Sequence, residues 1–302
     1  MTELAYPPPE IPYTFQRLPA DDGVSLAVQS VGQGPAVLVA NGIAITAPAL
    51  DYLVGHLRDR YRVILWDYRG TGQSRLPTAY GDVSMQQHAR DGLAVLRGLG
   101  VERAAVLGWS MGVPVALELL RNAPDRVTGL GALFGAAARP FRGKVPTLVS
   151  DAVLAGLLLS ERAPSPLHWI LRLGKAVPPL AWLVCSTIRF AGTHTPPAMF
   201  QRCVRNAADA ERQAYLRMLA HLIEHDARDV LPLVRCPMLV VGGSDDWVVA
   251  PEACEETARL APAARLVLLE ATSHFGVMEH GPKLWEPLDE LLELSFRPGR
   301  SG

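Results

Sequence analysis

The sequence predicts an α/β fold with a mostly parallel central sheet and helices on both faces. Short apolar runs alternate with longer segments of helical periodicity along most of the chain. This order is typical of parallel sheets whose strands are connected by helices. The apolar runs also lack the polar alternation of a strand with one wet face, so we expect them to be buried on both faces.

The individual elements follow from these patterns. Two opening strands, at 13–18 and 24–31, are expected to pair antiparallel. Six buried strands are predicted at 36–40, 61–66, 104–108, 126–134, 238–243 and 264–270. Helices with an apolar stripe or a terminal Gly or Pro signal are predicted at 49–59, 84–98, 111–121, 251–260 and 282–294.

The alternation stops between about residues 139 and 232, where helical patterns rich in Pro, Leu, Ala and Trp contain no convincing strand. We therefore expect a first core part at 1–138, an inserted helical cap at 139–232 and a second core part at 233–302. Residues 139–205 carry nine Lys or Arg against two acids, a net charge of +7. In one interpretation the apolar residues pack the cap onto the core and the basic residues are solvated. In the other, some apolar residues line an acyl tunnel whose basic rim attracts anionic lipid surfaces or acidic substrates.

Composition limits the possible functions. The chain has 302 residues and a net charge of −1, so it lacks the basic character of a general nucleic-acid binder. Four widely spaced cysteines form no C-x-x-C pair, which favours free thiols over a zinc site or a disulfide framework. The amino terminus has no secretory signal pattern, so we expect a cytoplasmic protein.

The most informative motif is the G-x-S-x-G at 108–112, which lies between a predicted strand and a predicted helix. The flanking glycines allow a tight turn that lifts the Ser110 hydroxyl above the sheet edge. The amino terminus of the following helix favours negative charge at the same place. Ser110 is therefore a candidate nucleophile, although a glycine-rich turn could contain a serine by chance.

A serine nucleophile needs a base and a third group that orients the base. His274 is the candidate base, because it follows the last predicted strand, whereas most other histidines fall on predicted helices or in the insertion. The acid should follow the preceding strand. Both Asp245 and Asp246 do so, and their position alone does not separate them.

These motifs and their order resemble the α/β-hydrolase superfamily over residues 36–134 and 225–294. GGSDDWVVA at 242–250 resembles the family's Gly-x-x-Asp motif, and aligning Gly243 with its glycine favours Asp246 as the acid. WDYRGTGQS at 66–74 resembles a structural turn of the family. Since family members with an epoxide hydrolase or dehalogenase activity carry aspartate at the nucleophile position, Ser110 excludes both activities.

The resemblance also identifies an oxyanion loop in VLVANGIAIT at 37–46, with Asn41 where the family commonly has histidine. It implies that the backbone amides of Ile43 and Met111 hold the oxyanion. Asn41, Gly42 and Trp109 are expected to lie at the substrate site. Which side chain supports the loop is left open by the departure at Asn41.

One rival motif is H-x-x-E-H, formed by His221, Glu224 and His225. On a helix it would place both histidines on one face, as in an inverted zinc-peptidase site. No third ligand stands out, so a solvated helix face is the favoured interpretation.

The resemblance implies a cofactor-independent serine hydrolase that cleaves small-molecule carboxylic esters with an apolar acyl group through an acyl-enzyme. Thioesterase, lactonase and C–C bond hydrolase activities on the same triad are alternatives. A binding protein on a hydrolase scaffold is a further one, disfavoured because all three triad members are present. The physiological substrate and the oligomeric state do not follow from the sequence.

Overall fold

The computed structural model describes residues 10–76, 81–138, 166–187, 190–192, 194–279 and 281–297. Its strands are β1 Thr14–Pro19, β2 Ser25–Val31, β3 Ala36–Ala40, β4 Arg62–Trp66, β5 Ala104–Trp109, β6 Val127–Leu133, β7 Met238–Gly243 and β8 Ala264–Leu269. Its α-helices are α1 Asp51–Leu57, α2 Met85–Gly98, α3 Gly112–Asn122, α4 Pro166–Ala176, α5 Pro178–Thr187, α6 Pro197–Asp209, α7 Arg212–Glu224, α8 Pro251–Leu260, α9 Gly276–Glu279 and α10 Gly281–Ser295. Short 3-10 helices occur at Ala47–Leu50, Pro124–Arg126 and Leu231–Leu233.

The eight strands form one sheet in the order β1-β2-β4-β3-β5-β6-β7-β8. β1 and β2 pair antiparallel, as do β2 and β4, and the remaining neighbours are parallel. The predicted α/β class with its mostly parallel sheet is confirmed. Because parallel strands end at one edge of the sheet, the residues that follow β3, β5, β7 and β8 lie close together.

The core has two layers, one on each face of the sheet. Successive residues of a strand point to opposite faces, so Leu38 of β3 packs in one layer and Val37 and Val39 pack in the other. The first layer contains apolar side chains of α2, α3 and α8, and the second contains those of α1 and α10. Strands β3, β5 and β7 are buried at every position, as their uninterrupted apolar sequences predict.

Helix boundaries differ slightly from the sequence predictions. The helix expected at 49–59 begins as the 3-10 turn Ala47–Leu50 and continues as α1, which ends at Leu57. A proline lies at the start of the 3-10 turn, where a missing backbone donor costs little. α2 begins where expected, because the Ser84 side chain accepts a hydrogen bond from the Gln87 amide at 3.2 Å.

The turn at 66–74 is organised by buried charge. Arg69 is 1% exposed and donates to both oxygens of Asp91 at 2.6 and 2.7 Å and to both oxygens of Asp22 at 2.6 and 2.9 Å. These bidentate pairs join the turn to α2 and to the loop before β2. The turn therefore fixes the chain that leaves β4.

Between β6 and β7 the described residues form the four helices α4 to α7. The first part of the predicted cap, residues 139–165, lies outside the described residues. α6 is anchored to the core by Arg202, which donates to the Pro48 carbonyl at 2.9 Å, and by Asn206, which donates to Thr46 at 2.9 Å. Among the described residues, no helix has both the length and the hydropathy needed to cross a membrane.

Candidate active site

Ser110 lies on a sharp turn between β5 and α3. Its φ is +54°, in the left-handed region that a residue with a side chain rarely adopts. The turn is possible because its neighbours are glycines: a Cβ on Gly108 would lie 2.4 Å from the Gly112 carbonyl oxygen, and one on Gly112 would lie 1.9 Å from the Ala40 carbonyl oxygen. The conformation presents the Ser110 hydroxyl at the carboxyl edge of the sheet, partly exposed, at the amino terminus of α3.

His274 follows β8 and lies beside Ser110. Its Nε2 is 2.8 Å from Ser110 Oγ, and its Nδ1 is 2.9 Å from Asp246 Oδ2. A carboxylate only accepts hydrogen bonds, so Nδ1 carries the proton and Nε2 is free to accept one from the serine. The structure thus brings together the three residues of the predicted triad from the ends of β5, β7 and β8.

Asp246 is completely buried, and its second oxygen is also used. Oδ1 accepts the backbone amides of Val248 at 2.7 Å and Val249 at 2.8 Å. The neighbouring Asp245 instead accepts a hydrogen bond from the Ser244 hydroxyl at 3.0 Å. Of the two aspartates that follow β7, Asp246 therefore has the position predicted for the acid.

The loop after β3 is held by Asn41. Its side chain is buried, and Nδ2 donates to the carbonyls of Ile45 at 3.3 Å and Trp66 at 3.2 Å. Burial keeps the pKa of Tyr68 well above its usual range, so its hydroxyl stays protonated and donates to the Asn41 carbonyl at 2.9 Å. Asn41 therefore supports the loop from inside, and its side chain has no surface with which to contact a substrate.

The amides of Ile43 and Met111 belong to the loops that follow β3 and β5. Ile43 belongs to the loop held by Asn41, and Met111 precedes the first residue of α3. Within the described residues, neither amide donates to a backbone carbonyl. Both amides are therefore candidate donors for an oxyanion.

Trp109 and Gly42 lie behind the triad. The Trp109 side chain is 2% exposed, and its Nε1 donates to the His274 carbonyl at 3.2 Å. A Cβ on Gly42 would lie 3.3 Å from the Trp109 ring. Trp109 therefore links the oxyanion loop with the histidine loop, and this support was not expected from the sequence.

Comparison with known protein families decides the affiliation. Residues 35–281 match the family described as alpha/beta hydrolase fold. The chain belongs to this family. The resemblance to α/β hydrolases that the sequence indicates is confirmed. The match spans both the turn of Ser110 and the histidine loop.

Relatives of this alpha/beta hydrolase include esterases. The chain is 28% identical over 267 residues to pimeloyl-[acyl-carrier protein] methyl ester esterase of Stenotrophomonas maltophilia, covering 85% of this chain and 92% of the relative. It is 26% identical over 305 residues to the polyketide synthase ThaQ of Burkholderia thailandensis, covering 96% of this chain but only 13% of that much longer protein. A thermophilic esterase from Thermogutta terrifontis has the same fold, with a TM-score of 0.75 at 23% identity, over 94% of this chain and all of the other. The family and these relatives support an enzyme of the hydrolase class.

Aromatic rings connect the insertion of this hydrolase with its histidine loop. Phe275 follows His274, and its ring lies edge-on to Phe190 at 5.7 Å and to Phe200 at 5.4 Å between centroids. Trp182 of α5 packs edge-on against Phe200 at 5.6 Å. The triad is therefore bordered by an apolar surface on the side of the insertion.

The rival H-x-x-E-H motif does not form the helix face that a metal site would need. α7 ends at Glu224, and His225 has the extended backbone angles φ −66° and ψ 140°. His225 Nε2 instead lies 3.3 Å from Glu118 of α3. No group of three or more possible metal ligands occurs among the described residues.

Proposed function

We propose that this chain is a serine hydrolase that cleaves carboxylic esters through an acyl-enzyme. The observation that carries the proposal is the hydrogen-bond chain from Asp246 through His274 to Ser110. Ser110 Oγ attacks the ester carbonyl while His274 Nε2 accepts its proton, and the tetrahedral oxyanion is stabilised by the amides of Ile43 and Met111. His274 then protonates the leaving alcohol, and water repeats the sequence to release the acid.

Asp246 fixes the imidazole in the tautomer that this sequence requires and stabilises the imidazolium that forms. Its two backbone donors, the amides of Val248 and Val249, hold the carboxylate in place with Oδ2 facing His274. No step in the mechanism needs a metal ion or an organic cofactor.

We further propose that the acyl group is apolar. Met199, Phe200, Trp109 and Phe275 belong to one packed apolar cluster that reaches the triad. Burial of each methylene against such a surface contributes about 0.8 kcal/mol, or about fourfold in binding. The preference for an ester is supported by the esterase relatives, whereas thioesters, lactones and C–C bonds are the alternatives that the same triad could cleave.

Two measurements test these proposals. A fluorophosphonate probe should label the wild-type chain and leave Ser110→Ala unlabelled, and failure of the folded wild type to react would favour a binding protein on this scaffold. With p-nitrophenyl esters from acetate to octanoate, kcat/KM should rise with chain length and then level off. An optimum at acetate would refute the proposal of an apolar acyl group. Faster turnover of matched thioesters or lactones would refute the proposal that esters are the substrates.

We also propose that residues 139–232 act as a cap that contacts anionic lipid surfaces. α4, α5 and the residue between them expose a series of large apolar side chains: Trp169, Ile170, Leu173, Val177, Leu180, Leu183 and Val184. Between Glu161 and Asp209 the chain contains six Lys or Arg and no acid. Arg172 lies over the Trp169 ring at 5.8 Å, so positive charge accompanies the exposed apolar face.

A basic amphipathic surface of this kind binds at the boundary between lipid headgroups and acyl chains, with about 1 kcal/mol from each basic residue close to the surface. Co-sedimentation with vesicles containing phosphatidylglycerol should therefore exceed that with pure phosphatidylcholine and fall as salt rises. Leu183→Ser should weaken it, whereas Leu233→Ser, at a similarly exposed position outside α4 and α5, should not. Equal binding of all vesicles and variants would refute lipid contact.

The four free thiols fit a reducing compartment, so we propose the cytoplasmic face of a membrane as the location.

A further inference from the structure

Glu279 is a buried carboxylate close to the triad that the proposed mechanism does not use. It is the last residue of α9 and is 7% exposed. Four hydrogen-bond donors converge on its two oxygens, and they come from two separate parts of the chain. A buried carboxylate requires such donors, because each one that is lost leaves part of its charge without solvation.

Two of the donors belong to the histidine loop. The amide of Ser273 donates to Glu279 Oε2 at 2.9 Å, and the Ser273 hydroxyl donates to Oε1. The same hydroxyl accepts the amide of Phe275 at 3.2 Å. Glu279 therefore holds the residue before His274 directly and the residue after it through Ser273.

The other two donors belong to the insertion. The amide of Gly192 donates to Oε1 at 3.2 Å, and the hydroxyl of Thr195, which is 1% exposed, donates to the same oxygen. A Cβ on Gly192 would lie 2.5 Å from Oε1, so the approach of this segment requires glycine. Phe190 of the same segment packs against Phe275.

We propose that Glu279 is a positioning residue that couples the seating of Gly192 and Thr195 to the placement of His274. This inference rests on the proposed function, because it assigns His274 the role of base. Without the bonds from Gly192 and Thr195, Oε1 loses two of its three donors, and the carboxylate that fixes Ser273 is incompletely hydrogen-bonded. The cap segment thereby controls the chemical step without touching the reacting atoms.

The test compares Glu279→Gln with Glu286→Gln, the same exchange at an exposed position of α10. Glutamine keeps the shape but replaces one acceptor oxygen with a donor group, so at least the bond from the Ser273 amide to Oε2 fails when the glutamine oxygen takes the place of Oε1. A misplacement of a catalytic group by about 1 Å can cost about 100-fold in rate. For p-nitrophenyl acetate we expect Glu279→Gln to lower kcat by about 10- to 100-fold with KM little changed, and to shift the acidic limb of the kcat/KM pH profile, while Glu286→Gln matches the wild type.

Two milder variants test the coupling even if Glu279→Gln does not fold. Ser273→Ala removes a donor of the histidine loop, and Thr195→Val removes a donor of the cap segment with its shape kept. Both should lower kcat for the acetate ester, and the double variant should lose less than the product of the two single losses, since both act through one carboxylate. Thr195→Val with wild-type kcat and pH profile, or independent effects that multiply, would overturn the proposal. The variants are compared only after the wild-type chain has been shown to react with the fluorophosphonate probe. An unreactive wild type would refute the proposed function and this inference with it.

Discussion

The exchange of Asp246 for asparagine separates two roles of this side chain. Oδ1 accepts the amides of Val248 and Val249, and Oδ2 faces His274 Nδ1 at 2.9 Å. The asparagine keeps both backbone bonds only if its oxygen takes the place of Oδ1, which directs its NH₂ group at the imidazole. Two donors cannot share that contact, so His274 must carry its proton on Nε2.

In that tautomer His274 cannot accept the proton of Ser110. The corresponding exchange in a serine protease triad lowers kcat by about 10⁴-fold, which corresponds to about 5.5 kcal/mol at 1.36 kcal/mol for each factor of ten. We expect a loss of this size for Asp246→Asn. Because the two backbone hydrogen bonds survive, the free energy of unfolding should change by at most about 2 kcal/mol, the scale of one hydrogen bond to a charged group.

The assay is the steady-state hydrolysis of p-nitrophenyl butyrate, with urea unfolding of the same preparations. Asp245→Asn is the matched control, since it makes the same exchange one residue away and should keep near wild-type kcat. Equal losses in the two variants would refute the tautomer argument. A larger loss in Asp245→Asn would move the acid to that residue.

Three further predictions concern stability. Gly112→Ala should cost about 3 kcal/mol or more in urea unfolding, because its Cβ meets the Ala40 carbonyl, and a smaller loss would contradict that clash. Burial lowers the pKa of His88 to about 3. Below pH 6.5 the unfolded chain therefore binds a proton that the native chain does not, and the free energy of unfolding decreases as the pH is lowered. His88→Leu should remove this slope of about 1.36 kcal/mol per pH unit between pH 6 and 4, and an unchanged slope would refute it. The hydrogen bond from Arg69 lowers the pKa of Asp22 below its ordinary 3.8, so its contribution is full above that pH and lost as pH falls further, and Asp22→Asn should flatten the stability profile below pH 4.

The sequence predicts the triad well because each member follows a strand marked by an apolar run. β5 and β7 are buried at every position as predicted, whereas β8 lies at the edge of the sheet and only its last residue, Leu269, is buried. Apolar runs locate β5, β7 and β8, and parallel strands bring the ends of all three to one edge. The supports of the site are tertiary and leave no local signal. The sequence places Trp109 at the substrate site but does not predict that its side chain is buried and donates to the His274 carbonyl. Glu279 lies on a four-residue helix too short for periodicity, and two of its donors come from more than 80 residues away in the chain.

The departure at Asn41 and the end of α7 illustrate the same limit. The position of Asn41 in the loop after β3 predicts a contact with substrate. In the structure its side chain instead binds two backbone carbonyls, one in the same loop and one in β4. The helical spacing of His221 and His225 is broken because the helix stops one residue early, and His225 turns toward Glu118. Both outcomes depend on contacts with residues distant in sequence, Trp66 for Asn41 and Glu118 for His225.

The left-handed backbone of Ser110 has an evolutionary consequence. A residue with a side chain in this region stores about 1 to 2 kcal/mol of strain, which glycine does not. Ser110→Gly should therefore yield a chain that is more stable than the wild type and has no nucleophile. Selection for turnover thus keeps this position away from its stability optimum, and a lineage released from that selection could gain stability by the same single change that ends its chemistry.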